Sequence, residues 1–352
     1  MKKISVNTSQ KYDIFIEKGL LYNCGELIKS QTKSKKFAII SDDIVDSLYS
    51  EILINSLNRE GFTAVKYVFK NGESSKSIEN LNNIYSFLAK ENITRSDCII
   101  ALGGGVVGDI TGFAAATFLR GLDYIQIPTT LLAQIDSSVG GKTAINLTVG
   151  KNLVGAFKQP ILVICDSNVL STLSEEILAD GMAEAIKYGM IRSSSLFDLI
   201  NNHNLDTVSN VLDEIIYECI SIKSDVVSAD EFDKGERMIL NFGHTLGHAV
   251  ESYYNYEKYS HGSAVAIGMA LITKQAVTSS LCEKIYLEKL IKCIEKYRLP
   301  VKCSASLNEL VPLCYNDKKR ESDKINIILC SKIGTCEIKQ LTIENFNKFM
   351  EV

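Results

Sequence analysis

The chain has 352 residues, of which 46% are hydrophobic and 23% are charged. This composition supplies a large apolar core for two or three domains and excludes a disordered or fibrous protein. A formal net charge of -4 argues against nucleic acid or an anionic membrane as the main partner, but it is compatible with a local basic pocket for an anionic small molecule.

The N-terminal segment and the cysteines indicate a cytoplasmic protein. The opening MKKISVNTSQKYDIFIEKG becomes polar after two lysines instead of continuing into the apolar run of a signal peptide, and no later run is long and apolar enough to span a bilayer. The ten cysteines lack the paired spacing of disulfide-stapled or zinc-binding domains, so we expect buried free thiols.

Residues 1–173 are predicted to form an α/β domain with a Rossmann-like parallel sheet. Short β-rich runs alternate with helical patterns such as ENLNNIYSFLAKEN, and this alternation is typical of a parallel sheet. The predicted strands are KFAIIS, TAVKYVF, DCIIAL, DYIQIP and ILVICD.

A glycine-rich loop follows the predicted strand DCIIAL. The residues from Gly103 to Asp109 lead into the helical segment ITGFAAATFL and satisfy the pattern G-x-G-x-x-G between a strand and a helix. Backbone at such a loop can approach a pyrophosphate, whose charge is stabilised at a helix N-terminus. A tight structural turn explains the same pattern, so both interpretations stay open.

The ribose contact of a dinucleotide site has to come from another part of this domain. Asp123, about twenty residues beyond the loop, begins a strand instead of ending one. Asp42 and Asp43 directly follow the strand KFAIIS, so a carboxylate there could accept hydrogen bonds from ribose hydroxyls. A helix N-cap is an equally good explanation of Asp42.

A tract rich in glycine, serine and threonine comes next and is predicted to form binding loops. Its isolated charged and amide side chains are Arg120, Asp136, Lys142, Asn146, Lys151 and Asn152. The piece SVGGKT resembles part of a phosphate-binding P-loop, but Asp136 stands where the first glycine is needed, which excludes that class. Taken alone, Lys142 is more often an exposed turn residue than a ligand-binding one.

Residues 174–352 are predicted to form a mostly helical second domain, because long amphipathic segments such as SEEILADGMAEAIKYGMI replace the alternating pattern. Glu184 and Lys187 lie three residues apart on one helix face in that segment, as a surface ion pair would. The apolar neighbours of Glu184 favour a second interpretation, since an unpaired carboxylate is costly in such a setting and a metal ion is an attractive partner.

Three of the four histidines lie within eighteen residues of each other, in NFGHTLGHAVE and HGSAVAIGM. His244 and His248 are four apart in a predicted helix and share one face, while His261 opens the next element. Imidazole and carboxylate groups brought together in this way are ligands for a divalent metal. A chance grouping of core and surface histidines is the alternative.

Long motifs carry a family resemblance across nearly the whole chain. They are GGGVVGDITGFAAATFLRG, IPTTLLAQIDSSVGGKTAINLTVGKNLVGAFKQP, DGMAEAIKYGMI, NFGHTLGHAVE and HGSAVAIGM, in this order. In these motifs the chain resembles the 3-dehydroquinate synthases of the shikimate pathway. The resemblance implies an N-terminal NAD-binding α/β domain and a C-terminal helical domain, with the active site in the cleft between them.

The resemblance also implies a set of site residues. A divalent metal, zinc or cobalt, would be bound by Glu184, His244 and His261, which leaves His248 as a catalytic or phosphate-side residue. NAD would be contacted at Asp42, Glu73, Lys76, Gly104, Gly105, Val106, Gly108, Asp109, Thr129, Thr130, Lys142, Lys151, Thr172 and Leu173. Substrate-binding and catalytic side chains would be Arg120, Asp136, Lys142, Asn152, Lys187, Lys223, Arg237, Asn241, His248 and one lysine of the DKK segment, Lys318.

The implied reaction is the cyclisation of 3-deoxy-D-arabino-heptulosonate 7-phosphate to 3-dehydroquinate by transient oxidation, phosphate elimination, reduction, ring opening and an aldol step. The cations among these residues would offset the carboxylate and phosphate of this small sugar acid phosphate. Two positions depart from the family pattern: Asp233 stands where Glu is common, and Ser263 follows the HG of His261 where Glu is usual. Both departures put the orientation of the metal site in question but remove no proposed ligand.

Other functions remain compatible with the residues. A different sugar phosphate cyclase, such as a 2-deoxy-scyllo-inosose or valiolone-type synthase, would share NAD and metal, and a metal-dependent polyol dehydrogenase would produce net NADH. A non-catalytic nucleotide-sensing module is the fourth reading. The resemblance further implies a homodimer.

Overall fold

The computed structural model describes residues 1–316 and 324–351, and the chain forms two compact units. The first unit comprises Met1–Leu173 and Lys223–Phe232, and the second comprises Ser174–Ile222 and Asp233–Val352. The predicted boundary after residue 173 coincides with one of these divisions. Residues 223–232, which the prediction placed in the second domain, belong instead to the first unit, because Lys223 pairs with Asp136 and Glu231 accepts a hydrogen bond from the Ser9 amide.

The first unit is built on a seven-stranded sheet and a separate two-stranded hairpin. Its strands are β1 (Lys2–Val6), β2 (Tyr12–Ile16), β3 (Lys36–Asp42), β4 (Thr63–Phe69), β5 (Cys98–Gly103), β6 (Asp123–Pro128), β7 (Lys142–Leu147), β8 (Gly150–Phe157) and β9 (Leu162–Cys165). Its α-helices are α1 (Cys24–Gln31), α2 (Asp43–Val45), α3 (Glu51–Arg59), α4 (Ile78–Lys90) and α5 (Gly105–Thr117).

The large sheet has the strand order β1-β2-β9-β6-β5-β3-β4, and every neighbouring pair except β1 with β2 is parallel. Strands β3, β4, β5, β6 and β9 coincide with the five predicted runs, so the predicted parallel sheet is confirmed. After β4 the chain crosses to the other side of β3 to form β5, which makes the carboxyl ends of β3 and β5 a topological switch point. Ligands of open α/β sheets bind at such a point.

Two features of the first unit differ from the sequence prediction. The edge strand β1 and its neighbour β2 were not predicted, and the tract predicted as binding loops forms the antiparallel hairpin of β7 and β8. The hairpin was missed because glycine, asparagine and lysine are depleted in strands, and most of the side chains of β8 are exposed or only half-buried. A strand with little buried surface has no clear hydrophobic alternation to read.

The second unit is mostly helical, as predicted. Its α-helices are α6 (Glu175–Arg192), α7 (Ser194–Asn201), α8 (Leu212–Ala229), whose last residues belong to the first unit, α9 (His244–Tyr253), α10 (His261–Thr278), α11 (Lys284–Lys296), α12 (Leu307–Leu310) and α13 (Ile343–Glu351), and its strands are β10 (Lys324–Lys332) and β11 (Thr335–Thr342). Helices α6 and α10 are apolar around most of their circumference, which is typical of helices buried in a core.

The helices and the cysteines were also compared with the sequence expectations for membrane spans and disulfides. Among residues 1–316 and 324–351, none of the helices combines the length and apolar character needed to cross a membrane. All ten cysteines are thiols and eight of them are buried, Cys303 and Cys336 being partly exposed, so the expectation of free thiols without disulfides is confirmed.

Glycines allow α9 and α10 to approach each other closely. A Cβ atom at Gly268 of α10 would lie 2.0 Å from the carbonyl oxygen of Gly243 and 2.7 Å from the amide nitrogen of Gly247. Gly243 precedes α9 and has a φ of 78°, a conformation that favours glycine. This backbone contact determines how far the histidines of α9 lie from the histidine of α10.

Replacement of Gly268 by alanine is therefore expected to force the two helices apart. We expect a loss of about 1–3 kcal/mol in the free energy of unfolding, the usual cost of overpacking a core, measured by urea denaturation. Lys274→Ala, at an exposed position of the same helix, is the matched control and should stay within about 0.5 kcal/mol of the wild type. Equal stability of Gly268→Ala and the control would contradict the packing argument.

Candidate active site

A carboxylate and two imidazoles from three different helices meet inside the second unit. Oε1 of Glu184 lies 3.3 Å from Nε2 of His244 and 3.5 Å from Nε2 of His261. One potential ligand atom from each of these residues lies within 4.8 Å of the others. The structure thus brings together the three residues predicted to bind a divalent metal.

The helices explain how the three side chains come together. Glu184 lies in the middle of α6, and its side chain is 1% exposed. His244 and His261 are the first residues of α9 and α10, so each imidazole sits where a helix begins. Because the close approach of α9 and α10 aligns these two starts beside α6, the site depends on helix packing and not on a single sequence motif.

Lys187 shares the buried position of Glu184. The side chains of the two residues are 1–2% exposed, and the Lys187 ammonium forms an ion pair with Oε2 of Glu184. Burial would raise the pKa of the Glu184 carboxyl, but the charge of the Lys187 ammonium, together with the neighbouring imidazoles, outweighs this effect and holds the pKa well below its usual range. The pair is therefore not the surface ion pair that its three-residue spacing also allowed. Glu184 is a charged carboxylate inside a helical core.

His244 is neutral and oriented for ligation through Nε2. Burial lowers the pKa of His244 to about 4, against the opposing effect of Glu184. Its Nδ1 lies 3.2 Å from the carbonyl oxygen of Phe242, to which an Nδ1 proton can be donated. With Nδ1 protonated, the Nε2 lone pair points towards Glu184, which is the tautomer that a metal ligand requires.

His261 lies between two carboxylates. Its Nε2 faces Glu184, and its Nδ1 lies 3.4 Å from Oε1 of Glu251 on α9. Burial would lower the pKa of His261, but hydrogen bonds and charges from both carboxylates outweigh this effect and raise the pKa to about 10. Glu251 is buried and was not predicted, although its place three residues after His248 puts it on the same face of the helix.

His248 lies beside the three candidate ligands Glu184, His244 and His261 but does not belong to that group. Its ring centroid is 5.5 Å from that of His244 and 6.3 Å from that of His261. Together with Glu251 and His261 it forms a second group whose potential ligand atoms lie within 4.8 Å of one another. Among the described residues there are therefore two candidate metal sets, which share His261, and the carboxylate is more deeply buried in the first, with side-chain exposures of 1% for Glu184 and 9% for Glu251.

The remaining predicted substrate residues of the second unit are at different depths. Arg237 is 2% exposed, whereas Asn241 is half-buried, three residues before the start of α9. Lys318, the lysine chosen from the DKK segment, lies outside the described residues. A buried cation is expensive to desolvate unless an anionic group faces it, and Glu184 faces Lys187 in this way.

The glycine loop of the first unit lies where the sheet topology predicts a ligand. β5 ends at Gly103 and α5 begins at Gly105, next to the carboxyl end of β3 at Asp42. Gly104 is the N-cap, and among the described residues no side chain caps this helix start. A Cβ atom at Gly104 would approach Cγ2 of Thr130 to 3.2 Å, so a larger residue would fill the space above the loop.

A polar network follows the glycine loop. The buried ammonium of Lys76 forms an ion pair with Asp109 and donates a hydrogen bond of 2.6 Å to Oδ1 of Asn152. The side-chain amide of Asn146 donates to Oε1 of Glu73 at 2.7 Å. These contacts bring together residues that the sequence assigned to NAD and to substrate, and Asn146 ties the hairpin to them.

Asp42 acts as a helix cap. Its Oδ1 accepts hydrogen bonds from the amides of Ile44 and Val45, at 3.1 and 3.0 Å. The capping interpretation therefore describes what Asp42 does in the structure, and a ribose contact stays a prediction. Thr172, another residue assigned to NAD, exchanges a hydrogen bond of 2.6 Å with the hydroxyl of Tyr49.

Among the predicted substrate residues of the first unit are an ion pair and two exposed cations. Lys223 forms an ion pair of 2.8 Å with Asp136. Arg120 and Lys142 are exposed, and Arg120 has a φ of 67°, in the left-handed region. All residues assigned to NAD lie in the first unit and all metal-binding candidates lie in the second.

The chain is similar to proteins of known function along its whole length. The family model described as 3-dehydroquinate synthase N-terminal matches residues 66–180, and the one described as 3-dehydroquinate synthase C-terminal matches residues 181–320. The 3-dehydroquinate synthase of Clostridium perfringens (strain 13 / Type A) is 49% identical over 98% of this chain and 100% of its own length.

Two solved structures share the fold. A 2-deoxy-scyllo-inosose synthase, solved with carbaglucose-6-phosphate, NAD+ and Co2+, has a TM-score of 0.88 at 24% identity and covers 99% of both chains. A 2-epi-5-epi-valiolone synthase from Streptomyces hygroscopicus subsp. jinggangensis 5008, solved with NAD+ and Zn2+, has the same TM-score and identity and covers 99% of this chain and 98% of its own. With the family models and the curated relative taken together, this chain belongs to the 3-dehydroquinate synthase family.

Proposed function

We propose that this protein is a 3-dehydroquinate synthase that uses NAD and one divalent metal ion. It would convert 3-deoxy-D-arabino-heptulosonate 7-phosphate into 3-dehydroquinate and phosphate, in the cytoplasm and as a homodimer. The observation that carries the proposal is the grouping of the buried Glu184 with the half-buried His244 and His261 in a chain that is 49% identical to a curated 3-dehydroquinate synthase over nearly its full length.

The donor set fits a divalent metal of the zinc type. Two imidazoles that can bind in their neutral form and one ionised carboxylate are a common protein ligand set for catalytic zinc. Such a set leaves a further coordination position for a substrate oxygen. The low pKa of the Glu184 carboxyl keeps this donor charged, and Phe242 and Glu251 face the second nitrogens of the two imidazoles. A bound zinc or cobalt ion supplies Lewis acidity towards a substrate hydroxyl or carbonyl oxygen.

The first unit fits a dinucleotide. The helix start at Gly105 offers backbone amides and the positive end of a helix dipole, and the adjacent glycines leave room for a pyrophosphate. Lys76, Asp109 and Glu73 supply charged groups next to this loop. A bound NAD supplies a reversible two-electron oxidation, so the overall reaction needs no external oxidant.

The chain's own side chains would bind and orient an anionic substrate. Lys187 and Arg237 in the second unit, and Lys223 in the first, are buried cations of the kind that bind carboxylate and phosphate groups. His248 is half-buried beside the metal-binding candidates, where it can hold or move a proton at a substrate oxygen. Ring opening and closure need mainly orientation once the substrate is bound.

The direct test is an assay of the purified protein with the heptulosonate phosphate, NAD and zinc or cobalt. We expect release of one phosphate per substrate without accumulation of NADH, because the oxidation is reversed within the reaction. Net NADH would indicate a polyol dehydrogenase instead. Absence of turnover with this substrate but turnover of a sugar phosphate that lacks the carboxylate would indicate another cyclase, and inertness with both a non-catalytic module.

Replacement of His261 by alanine tests the metal assignment. The variant is expected to lose zinc binding and to reduce phosphate release by at least about 100-fold, since one of three ligands is removed, while NAD binding, measured by calorimetry, is retained. His203→Ala, at the one histidine outside the cluster, is the matched control and should keep both zinc binding and activity. Full activity of His261→Ala would count against the assignment.

Zinc binding is expected to become tighter as the pH rises. A pKa of about 10 means that His261 carries a proton at neutral pH in the metal-free protein, whereas His244, with a pKa of about 4, does not. Zinc must displace the His261 proton, so the apparent affinity should rise about tenfold per pH unit between pH 7 and 9. Competition with a chromophoric chelator, corrected for the chelator's own titration, measures this slope, and a flat profile would disprove it.

A further inference from the structure

The ligand His261 occupies the first position of a helix. Ser260 is the N-cap of α10 and His261 is the first helical residue. The first turn of a helix has amides without partners within the helix, and helix ends fray unless side chains or other groups satisfy them. Any loosening of this turn moves the His261 imidazole directly.

The local sequence lacks the usual reinforcement of such a turn. A serine N-cap is commonly completed by Glu or Gln at the third helical position, which forms a capping box. The same unit contains one, in which Ser306 and Glu309 bond reciprocally at the start of α12. At the corresponding position α10 has Ser263, whose short side chain contains no carboxylate.

A carboxylate from a neighbouring helix, that of Asp180, contacts this turn instead. Oδ1 of Asp180 accepts a hydrogen bond of 3.1 Å from the Ser263 amide and another from the Ser260 hydroxyl. The backbones are equally close, because a Cβ atom at Gly262 would lie 2.2 Å from the carbonyl oxygen of Asp180. The glycine after His261 is therefore needed for the contact with Asp180.

Asp180 and the ligand Glu184 lie on the same helix. They are four residues apart in α6, so their side chains point from one face in successive turns. One turn of α6 thus contributes a ligand to the candidate metal site, and the preceding turn contacts the start of the helix that contributes another.

We propose that Asp180 is a positioning residue for the metal site: its carboxylate fixes the first turn of α10 and thereby sets the His261 imidazole against Glu184. The proposal rests on the proposed function, because it assumes that zinc binds at this cluster. Asp180 restrains the same helix turn that a glutamate at position 263 would restrain in a capping box, but through different donors: Asp180 accepts from the Ser263 amide and the Ser260 hydroxyl, whereas the glutamate would accept from the Ser260 amide.

The test is a double-mutant cycle of Asp180 and residue 263, with zinc affinity at 25 °C as the readout. Asp180→Ala is expected to weaken zinc binding by about 10- to 100-fold, the usual effect of losing a group that orients a ligand. Ser263→Glu in the Asp180→Ala protein should recover most of the lost affinity, because it rebuilds the capping box within α10. Ser263→Glu alone should not tighten binding, since the new carboxylate would face Asp180.

Two controls separate positioning from general stability. Ser193→Ala removes the capping side chain of α7, whose hydroxyl accepts from the Leu196 amide at 3.1 Å, and should leave zinc affinity unchanged. The visible absorption of the cobalt-substituted protein should change in Asp180→Ala and return in the double variant, because this spectrum reports ligand geometry. If Asp180→Ala does not fold, the cycle is run with Asp180→Asn, which removes the charge and keeps the shape.

Unchanged zinc affinity in the folded Asp180 variant, or a loss that Ser263→Glu does not recover, would overturn the proposal. Failure of the proposed function has a different signature: the wild-type protein itself would neither bind zinc nor release phosphate from the heptulosonate phosphate. A wild type that binds zinc and turns over beside an Asp180→Ala protein with the same affinity rejects only the role of Asp180.

Discussion

The structure of the second unit depends on one buried carboxylate. Glu184 lies in an apolar helical core, where an isolated charge would be prohibitively expensive, and it is stabilised there by the Lys187 ammonium and by the protonated imidazole of His261 at 3.5 Å. Removal of a buried ion's partners is strongly destabilising, so helices α6, α9 and α10 have to keep their relative positions. The glycines at 243, 247 and 268 allow this by letting two of the helices touch through their backbones.

His244 and His261 differ in protonation, and this difference favours the binding of a metal ion at the cluster. His244 is neutral and His261 is protonated in the absence of a cation, because only His261 faces a second carboxylate. The proton on His261 offsets part of the negative charge of Glu184 and Glu251, and a divalent ion can replace it. The same carboxylates that attract the proton therefore favour a cation of higher charge, and exchange of one for the other is linked to pH.

Much of the fold and of the candidate site could be predicted from the sequence. The five inner strands and the long helices have strong periodicity, and the spacing of His244, His248 and His261 indicated a cluster. The roles of Asp180 and Glu251 depend on contacts between helices, which no local pattern encodes.

For Asp42 the sequence left a cap and a ribose ligand equally open, and the structure shows the cap. Residues 223–232 were assigned to the wrong unit because helical periodicity continues unbroken through α8.

Joint binding of one metal ion by Glu184, His244 and His261 can be seen in an anomalous difference map from crystals grown with cobalt or zinc. We expect one strong peak about 2.0–2.2 Å from Nε2 of His244, from Nε2 of His261 and from a carboxylate oxygen of Glu184. A peak at the alternative group of His248, Glu251 and His261, or at none of these residues, would contradict it.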